Sequence, residues 1–525
     1  MPRIASTQTL AALVCLLFAR SATAATFAVN STGDSSDVSK GNGVCATSSG
    51  TCTLRAAIQE ANASAEADTI VFALSTGYQR IAVSSPLPTI TRPLVIDGAT
   101  QAGFAGKPLI EIWGKGTVNG AGLAISSGPT TVRRLVVNGF DGPGIYLNGA
   151  TGVTLERNYV GTNVDGTAAV WNRESGIRLR RADNNVVQYN LISGNAKDSQ
   201  AYPSGSYTSL GGLEMLDSSD GNLVQGNIIG LDVTGLLRVG NYGRGVAVHA
   251  SNQNVFRGNV ISANYGSGFR IYGEGTGNLV EGNYVGLAMD ATLRGVGNFA
   301  GVQIRSSGNT ARNNVIAGNE DNGVLIFGSG SGEYNITGTA SNNLIQSNTI
   351  AYNGQNGVGI FDGDGNTVTG NAIWGNRLWG IDVSEYVRFD RTGVAGDTRG
   401  NNRAGDDLNV NDVDDLDGGT NDRQNYPVIR WSMFETAGTR LALSLNSEPS
   451  SQMAIEFFAT PECDDTGYGE AEYPLGSITV PTDAGGDVHF EVVIPNDLRG
   501  YYVTTTATNP RGDTSEMSAC QVVVP

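Results

Sequence analysis

Asn254-Val-Phe-Arg-Gly-Asn259-Val-Ile and Asn278-Leu-Val-Glu-Gly-Asn283-Tyr-Val-Gly are two copies of one pattern, 24 residues apart. The pattern recurs as Asn185-Val-Val-Gln-Tyr-Asn190-Leu-Ile, Asn222-Leu-Val-Gln-Gly-Asn227-Ile-Ile, Asn343-Leu-Ile-Gln-Ser-Asn348-Thr-Ile and Asn366-Thr-Val-Thr-Gly-Asn371-Ala-Ile. Its second asparagine falls at 158, 190, 227, 259, 283, 314, 348 and 371. The shortest spacings, 24 and 23, set a coil length, and longer ones read as coils with inserted loops. A second element follows each copy: glycine, apolar, variable, apolar. Examples are Gly176-Ile-Arg-Leu, Gly245-Val-Ala-Val, Gly268-Phe-Arg-Ile and Gly301-Val-Gln-Ile.

A fixed period of this length is the mark of a solenoid. Each element is long enough only for a short strand whose side chains alternate between faces. Valine, isoleucine and leucine then point inward. Asparagine and glycine fall at the corners, where tolerance of left-handed backbone is useful. Stacked asparagines can also hydrogen-bond along the axis as a ladder. One coil cannot bury its own apolar side, but coils stacked about 4.8 Å apart make a continuous core. The expected fold is all-β, a right-handed parallel β-helix of the pectin-lyase-like kind. A leucine-rich horseshoe would need a leucine scaffold with helical convex segments, and a propeller would need four-stranded blades of about 40 residues. Neither pattern is present. The 72 glycines among 525 residues follow no Gly-X-Y period, which excludes collagen.

A solenoid exposes its core at both ends and needs caps. Cys52-Thr-Leu-Arg-Ala-Ala-Ile-Gln-Glu-Ala-Asn62 is the best helix in the chain, with Leu54, Ala57, Ile58 and Ala61 on one face. Thr51 or Thr53 is placed to cap it. Asp68-Thr-Ile-Val-Phe72 then starts a strand. We expect the helix to plug the N-terminal end.

This helix and strand resemble the CSLREA-type motif near the N-terminus of exported bacterial right-handed β-helix proteins. Ala56 stands where that family usually has glutamate. The resemblance continues through the repeats and the C-terminal module. It implies the fold and export, and no settled activity. The fold is also similar in kind to that of pectate and alginate lyases, epimerases and adhesive passenger domains, an analogy that carries no function by itself.

From Tyr426 the pattern changes to longer alternating strands, seven between Pro427 and Val524. That count in about 100 residues predicts an immunoglobulin-like sandwich. The expected organisation is residues 1–24 as signal peptide and 25–92 as cap and first coils. The β-helix follows at 93–400, an acidic linker at 401–425 and the sandwich at 426–525.

The opening residues carry Arg3, an apolar run from Leu10 to Ala19, then Ala22-Thr23-Ala24. This reads as a secretory signal peptide, too short to span a membrane. Net charge is −17 over the whole chain. So acidic a surface argues against nucleic acid as a partner. Beyond Cys15 the cysteines are Cys45, Cys52, Cys463 and Cys520, and export favours the local pairs Cys45–Cys52 and Cys463–Cys520. No cysteine–histidine cluster suggests zinc, and no organic cofactor is expected. The predicted protein is a monomer, secreted or held at the cell surface without membrane insertion.

Two places carry candidate chemistry. In the acidic linker, Asp412, Asp414, Asp415, Asp417 and Asn421 offer hard oxygen ligands of the sort calcium takes. The competing reading is a solvated acidic stretch. The second place is the outward side of the glycine-led strands. Its variable positions include Tyr146, Arg178, Arg180, Glu214, His249, Arg270, Tyr272, Gln303, Arg305, Phe327, Phe361 and Asp382. Aromatic rings and arginine forks on an extended face suit a polysaccharide bearing uronates. We take Tyr146, Arg178, Arg180, Arg270, Tyr272, Arg305, Phe327 and Phe361 as binding candidates. Arg180, Glu214, His249, Arg270, Tyr272 and Arg305 are the catalytic ones. A lyase needs a carboxylate neutraliser (Arg180, Arg270 or Arg305) and proton-transfer groups (Tyr272 or His249). A glycosidase needs two opposed carboxylates, for which Glu214 with Asp217 or with Asp220 is a candidate. The alternatives are a non-enzymatic adhesive scaffold or plain solvated strand surface. Arg511-Gly-Asp513 and Asp362-Gly-Asp-Gly-Asn366 read as turns. The insertion Ala196–Leu210 is either a binding loop or a passive one.

Overall fold

The computed structural model describes residues 23–116, 118–197, 210–328, 339–384 and 408–524. Most of the expected signal peptide, most of the insertion Ala196–Leu210 and the start of the acidic stretch lie outside these residues.

Three long parallel sheets run the length of the molecule, with twelve, eleven and ten strands. We call them sheets I, II and III in the order in which the chain visits them. Each coil contributes one short strand to each sheet. One coil runs Val255–Arg257 in sheet I, Val260–Ile261 in sheet II and Phe269–Tyr272 in sheet III. The next runs Leu279–Glu281, Tyr284–Val285 and Val302–Arg305. Every strand pairs in parallel with its counterpart one coil along, so inward residues stack on inward residues. Val224, Phe256 and Val280 follow one another in sheet I. Ile229, Ile261 and Val285 do so in sheet II. Val248, Ile271 and Ile304 do so in sheet III. All are buried in one continuous core.

Three asparagine ladders tie the coils at the corners. Asn158, Asn190, Asn227, Asn259, Asn283, Asn314, Asn348 and Asn371 form one, each Nδ2 donating to the next Oδ1 at 2.9–3.1 Å. Asn185, Asn222, Asn254, Asn278, Asn309, Asn343 and Asn366 form the second. The third, Asn172, Asn195, Asn241, Asn264, Asn298, Asn319, Asn353 and Asn376, is one the sequence reading missed. Left-handed backbone is not what selects these asparagines. The residue before each ladder asparagine takes it more often, as at Tyr189, Gly226, Gly258 and Gly282. The asparagines are selected for their amides, which serve both coils. The glycines that lead the sheet III strands are selected for space. A Cβ on Gly245 would lie 2.5 Å from Ile261 Cγ2 and 2.6 Å from the Gly268 carbonyl oxygen.

At the N-terminal end, helix α1 (Leu54–Ala63) covers the first coils, with Leu54, Ala57, Ile58 and Ala61 in the main core. Thr53 Oγ1 accepts from the Ala56 N–H at 3.1 Å and caps the helix. Ala56 is fully buried, and a glutamate there would need a buried partner. The disulfides are Cys45–Cys52 and Cys463–Cys520.

The C-terminal module is an antiparallel sandwich. Its strands are Val428–Glu435, Gly438–Asn446, Gln452–Thr460, Tyr473–Pro481, Asp487–Ile494, Tyr502–Thr508 and Gln521–Val522. Strands one, two and five form one sheet, and four, three, six and seven the other. That is an immunoglobulin-like order.

The module seals the last coil. N–H groups that would pair with a further coil meet acceptors from it instead. Gly370 donates to Glu456, Ile373 to the Ala471 carbonyl, Gly375 to Glu470, Val368 to Thr514 and Val383 to Glu516. Gly365 donates to Asp513, which is fully buried. The Arg511-Gly-Asp513 turn is thus part of the seal.

This seal responds to pH. Burial pushes the Glu470 carboxyl up to about 7, with Asp464 and Glu472 adding to the effect. The folded state therefore holds a proton that the unfolded chain releases near 4.5. Stability from this group is fully present below pH 4.5 and is lost as pH rises through about 7. Glu470→Gln is expected to flatten the fall in melting temperature over that window. A variant profile that still tracks the wild type would assign the fall to other groups.

Candidate functional site

The outward positions of sheet III line up in two columns. In one, Tyr146 pairs with Arg178 and Arg178 with Glu214. Glu214 is followed by Ala247, Arg270, Gln303 and Leu325. In the other, His249 pairs with Tyr272 and Tyr272 with Arg305. Alternation along each strand forces this arrangement, so neighbours in a column sit about one coil step apart.

The lower part of the face is a network of internal ion pairs. Glu214 is 1% exposed and its Oε2 accepts from Arg178 Nε at 2.6 Å and Ser175 Oγ at 2.9 Å. Arg178 also reaches Glu174 at 2.6 Å. Burial works against the Arg178 charge, but Glu214 and Glu174 outweigh it and hold the guanidinium firmly protonated. Arg180 pairs with Asp217 at 2.6 Å, and Asp220 accepts from Asn252. Glu214, Asp217 and Asp220 therefore each have their own partner, and no opposed acid–base pair is assembled. Asp382 is fully buried and accepts from Asn356 Nδ2 at 2.6 Å.

The middle of the face is different. The His249 and Tyr272 rings are 4.8 Å apart. The Arg270 and Arg244 guanidiniums lie 5.2 and 5.9 Å from the Tyr272 ring centre. Tyr272, His249 and Arg244 are part-exposed. An imidazole, a phenol and two guanidiniums thus meet at one place, with Arg270 buried at 7% exposure beneath the part-exposed other three. Such a group can neutralise a carboxylate and move protons. Sequence reasoning named all of these except Arg244.

Phe327 and Phe361 do not form open stacking surfaces. They pack with Leu325 in a separate buried cluster. Gly359, in the first column, leaves the room that the Phe361 ring fills. Arg305 is 2% exposed and its guanidinium lies 4.4 Å from the Phe327 ring centre. These three hold the upper face together.

The acidic linker divides its candidates. Asp412, Asp415 and Asp417 converge, each offering a carboxylate oxygen within 4.8 Å of the others. Asp417 Oδ1 is buried and no donor reaches it. Burial pushes Asp415 up to about 6, and Asp412 and Asp417 add to that. An all-oxygen set with one orphaned lone pair fits a hard cation. Asn421 does not belong to it. Its Oδ1 accepts from the Asn366 N–H and its Nδ2 donates to the Asn366 and Thr514 carbonyls, so it is the last rung of the second ladder. The Asp414 N–H donates to Asn446 Oδ1, and Asp414 is outside the converging group.

Among the described residues no helix is long and apolar enough to cross a membrane. The chain matches no curated protein. It is similar to several solved structures. ORF18 of Geobacillus virus E2 is 12% identical over 87% of this chain and 69% of that one, with a TM-score of 0.40. The A-module of mannuronan C-5 epimerase AlgE4 from Azotobacter vinelandii is 15% identical over 61% and 73%, with a TM-score of 0.32. The Dettilon tailspike protein is 12% identical over 88% and 90%, with a TM-score of 0.32. The profile of the family described as "Right handed beta helix region" matches residues 115–292 and 288–402. That span is more than half of the chain and holds every asparagine rung but Asn421 and the whole of sheet III, so the protein belongs to the right-handed β-helix family.

Proposed function

We propose that this protein binds an extracellular polysaccharide along the outward face of sheet III, at the Arg244–His249–Arg270–Tyr272 group. The observation that carries this reading is the convergence of two guanidiniums on the part-exposed Tyr272 ring, beside His249. It puts positive charge beside an aromatic surface in a chain of net charge −17, which suits a uronate-bearing glycan. If the face is also catalytic, the chemistry on offer is that of a lyase, with arginine neutralising the carboxylate and Tyr272 or His249 moving the proton. The internal pairing of Glu214, Asp217 and Asp220 speaks against a glycosidase there. A polysaccharide panel read by binding, by absorbance at about 235 nm for unsaturated ends and by reducing ends tests this. Binding without product leaves a non-enzymatic surface or adhesive protein. Absence of binding to every glycan ends the reading.

Export is part of the proposal. The two disulfides, the CSLREA-type helix and the apolar opening segment support it. We further propose that Asp412, Asp415 and Asp417 hold a structural calcium ion, which would brace the linker beside the sandwich. Saturating calcium at about 100 times its Kd should raise stability by about 2.7 kcal/mol, and chelator should reverse this. An identical melting temperature with calcium and with chelator would count against the site, as would an Asp417→Asn variant that responds like the wild type.

A further inference from the structure

The corner between sheets II and III carries a line of exposed aromatic rings. Tyr242, Tyr265 and Phe299 each follow a rung of the third asparagine ladder on three consecutive coils. They are 39%, 56% and 47% exposed. The Tyr242 and Tyr265 rings are nearly parallel, 16° apart with centres 4.7 Å apart, one coil step. Two coils before Tyr242, at the same corner, Trp171 is 38% exposed and carries Lys197 Nζ 3.5 Å from its ring centre.

The fold does not require these rings. On other coils the residue after the ladder asparagine is Arg173, Ala196, Glu320, Gly354 or Arg377, so the ladder does not demand an aromatic ring beside it. Nor do the rings feed the main core, which is complete without them. Part-exposed aromatic rings aligned on three successive coils therefore point to a ligand.

We propose that this rim is a second glycan-contacting strip, on which an anionic polysaccharide runs parallel to the solenoid axis. The proposal rests on the polysaccharide reading above and adds to it a direction and a length. Tyrosine presents an apolar ring and a hydroxyl together, which matches the mixed C–H and hydroxyl surface of a sugar. From Trp171 to Phe299 the rim spans five coils, about 19 Å at the usual strand spacing. It therefore takes several consecutive sugars, not one. Lys197 within the rim and Arg244, two residues from Tyr242, supply positive charge for uronate groups.

The test is affinity electrophoresis in gels cast with alginate or polygalacturonate, against neutral hydroxyethylcellulose and dextran. Wild-type protein is expected to be retarded by an anionic polymer. The triple variant Tyr242→Ala, Tyr265→Ala, Phe299→Ala should bind about tenfold or more weakly with an unchanged melting temperature. Tyr242→Phe with Tyr265→Phe, which keeps the rings, should retain most binding. Affinity should also grow with oligosaccharide length up to the span of the rim. Equal retardation of wild type and triple variant overturns the rim while leaving the sheet III reading intact. No retardation of wild type by any polymer overturns both. Retardation by neutral polymers alone overturns the anionic assignment. If the triple variant abolishes a concentration-dependent self-association in sedimentation and leaves glycan binding unchanged, the rim belongs to a second copy of the chain and the proposal falls.

Discussion

Replacing Asn259 by alanine lowers the stability of the whole column by about 4 kcal/mol, although no apolar contact is lost. Asn259 is buried at the centre of its ladder. Its Oδ1 accepts from both the N–H and the Nδ2 of Asn227, and its Nδ2 donates to Asn283 Oδ1 and the Val224 carbonyl. Alanine leaves four groups on the two flanking coils one partner short where water does not reach. A net loss of about 1 kcal/mol for each is the ordinary scale for buried groups. Urea denaturation followed by circular dichroism measures it. A loss under about 1 kcal/mol would mean that neighbouring amides or water replace the rung, and that the ladder is ornament on a column held by its core.

Deleting residues 408–525 is expected to make the remaining chain self-associate. The last coil offers Gly365, Asn366, Val368, Gly370, Ile373, Gly375 and Val383 N–H groups to the sandwich and linker. Without those partners, three parallel strand edges and the end of the apolar core face water together. Such an edge is a template for pairing with another chain. Sedimentation velocity of the truncated and full-length proteins should show a concentration-dependent shift for the former alone. A truncated protein that stays monomeric with an unchanged melting temperature would reduce the sandwich to a passenger.

The solenoid was legible because each apolar position repeats at every coil, so one period fixes every strand. The third ladder was equally open to view. In coils without insertions the asparagines fall five residues apart, as at Asn254, Asn259 and Asn264. It escaped because residues 161–172, 230–241 and 286–298 interrupt that spacing. The first two of these fold as hairpins bridged at Thr162–Ala169 and Leu231–Arg238. The stacking of Val233 on Gly166 and of Met289 on Gly235 links the three insertions.

At the candidate site, alternation told which residues face outward but not which of them are occupied. Arg178 and Glu214 are adjacent only across a coil boundary 36 residues long. Phe361 turns away from solvent because Gly359 lies beside it. Asn421 is 55 residues from the ladder that it ends, and its composition context is that of an acidic loop. These outcomes depend on contacts between segments, which no local pattern encodes.

The asparagine rungs also bear on how such a molecule changes size over generations. Asn348 and Asn371 are 23 residues apart and present the same amide to the coils on either side. Duplicating or excising one such unit would return identical chemistry to both cut faces, with the seal at the far end untouched. The length of the column, and with it the number of sugars it can lie against, is therefore a quantity that gene duplication can adjust in whole steps, without any new interface having to be invented.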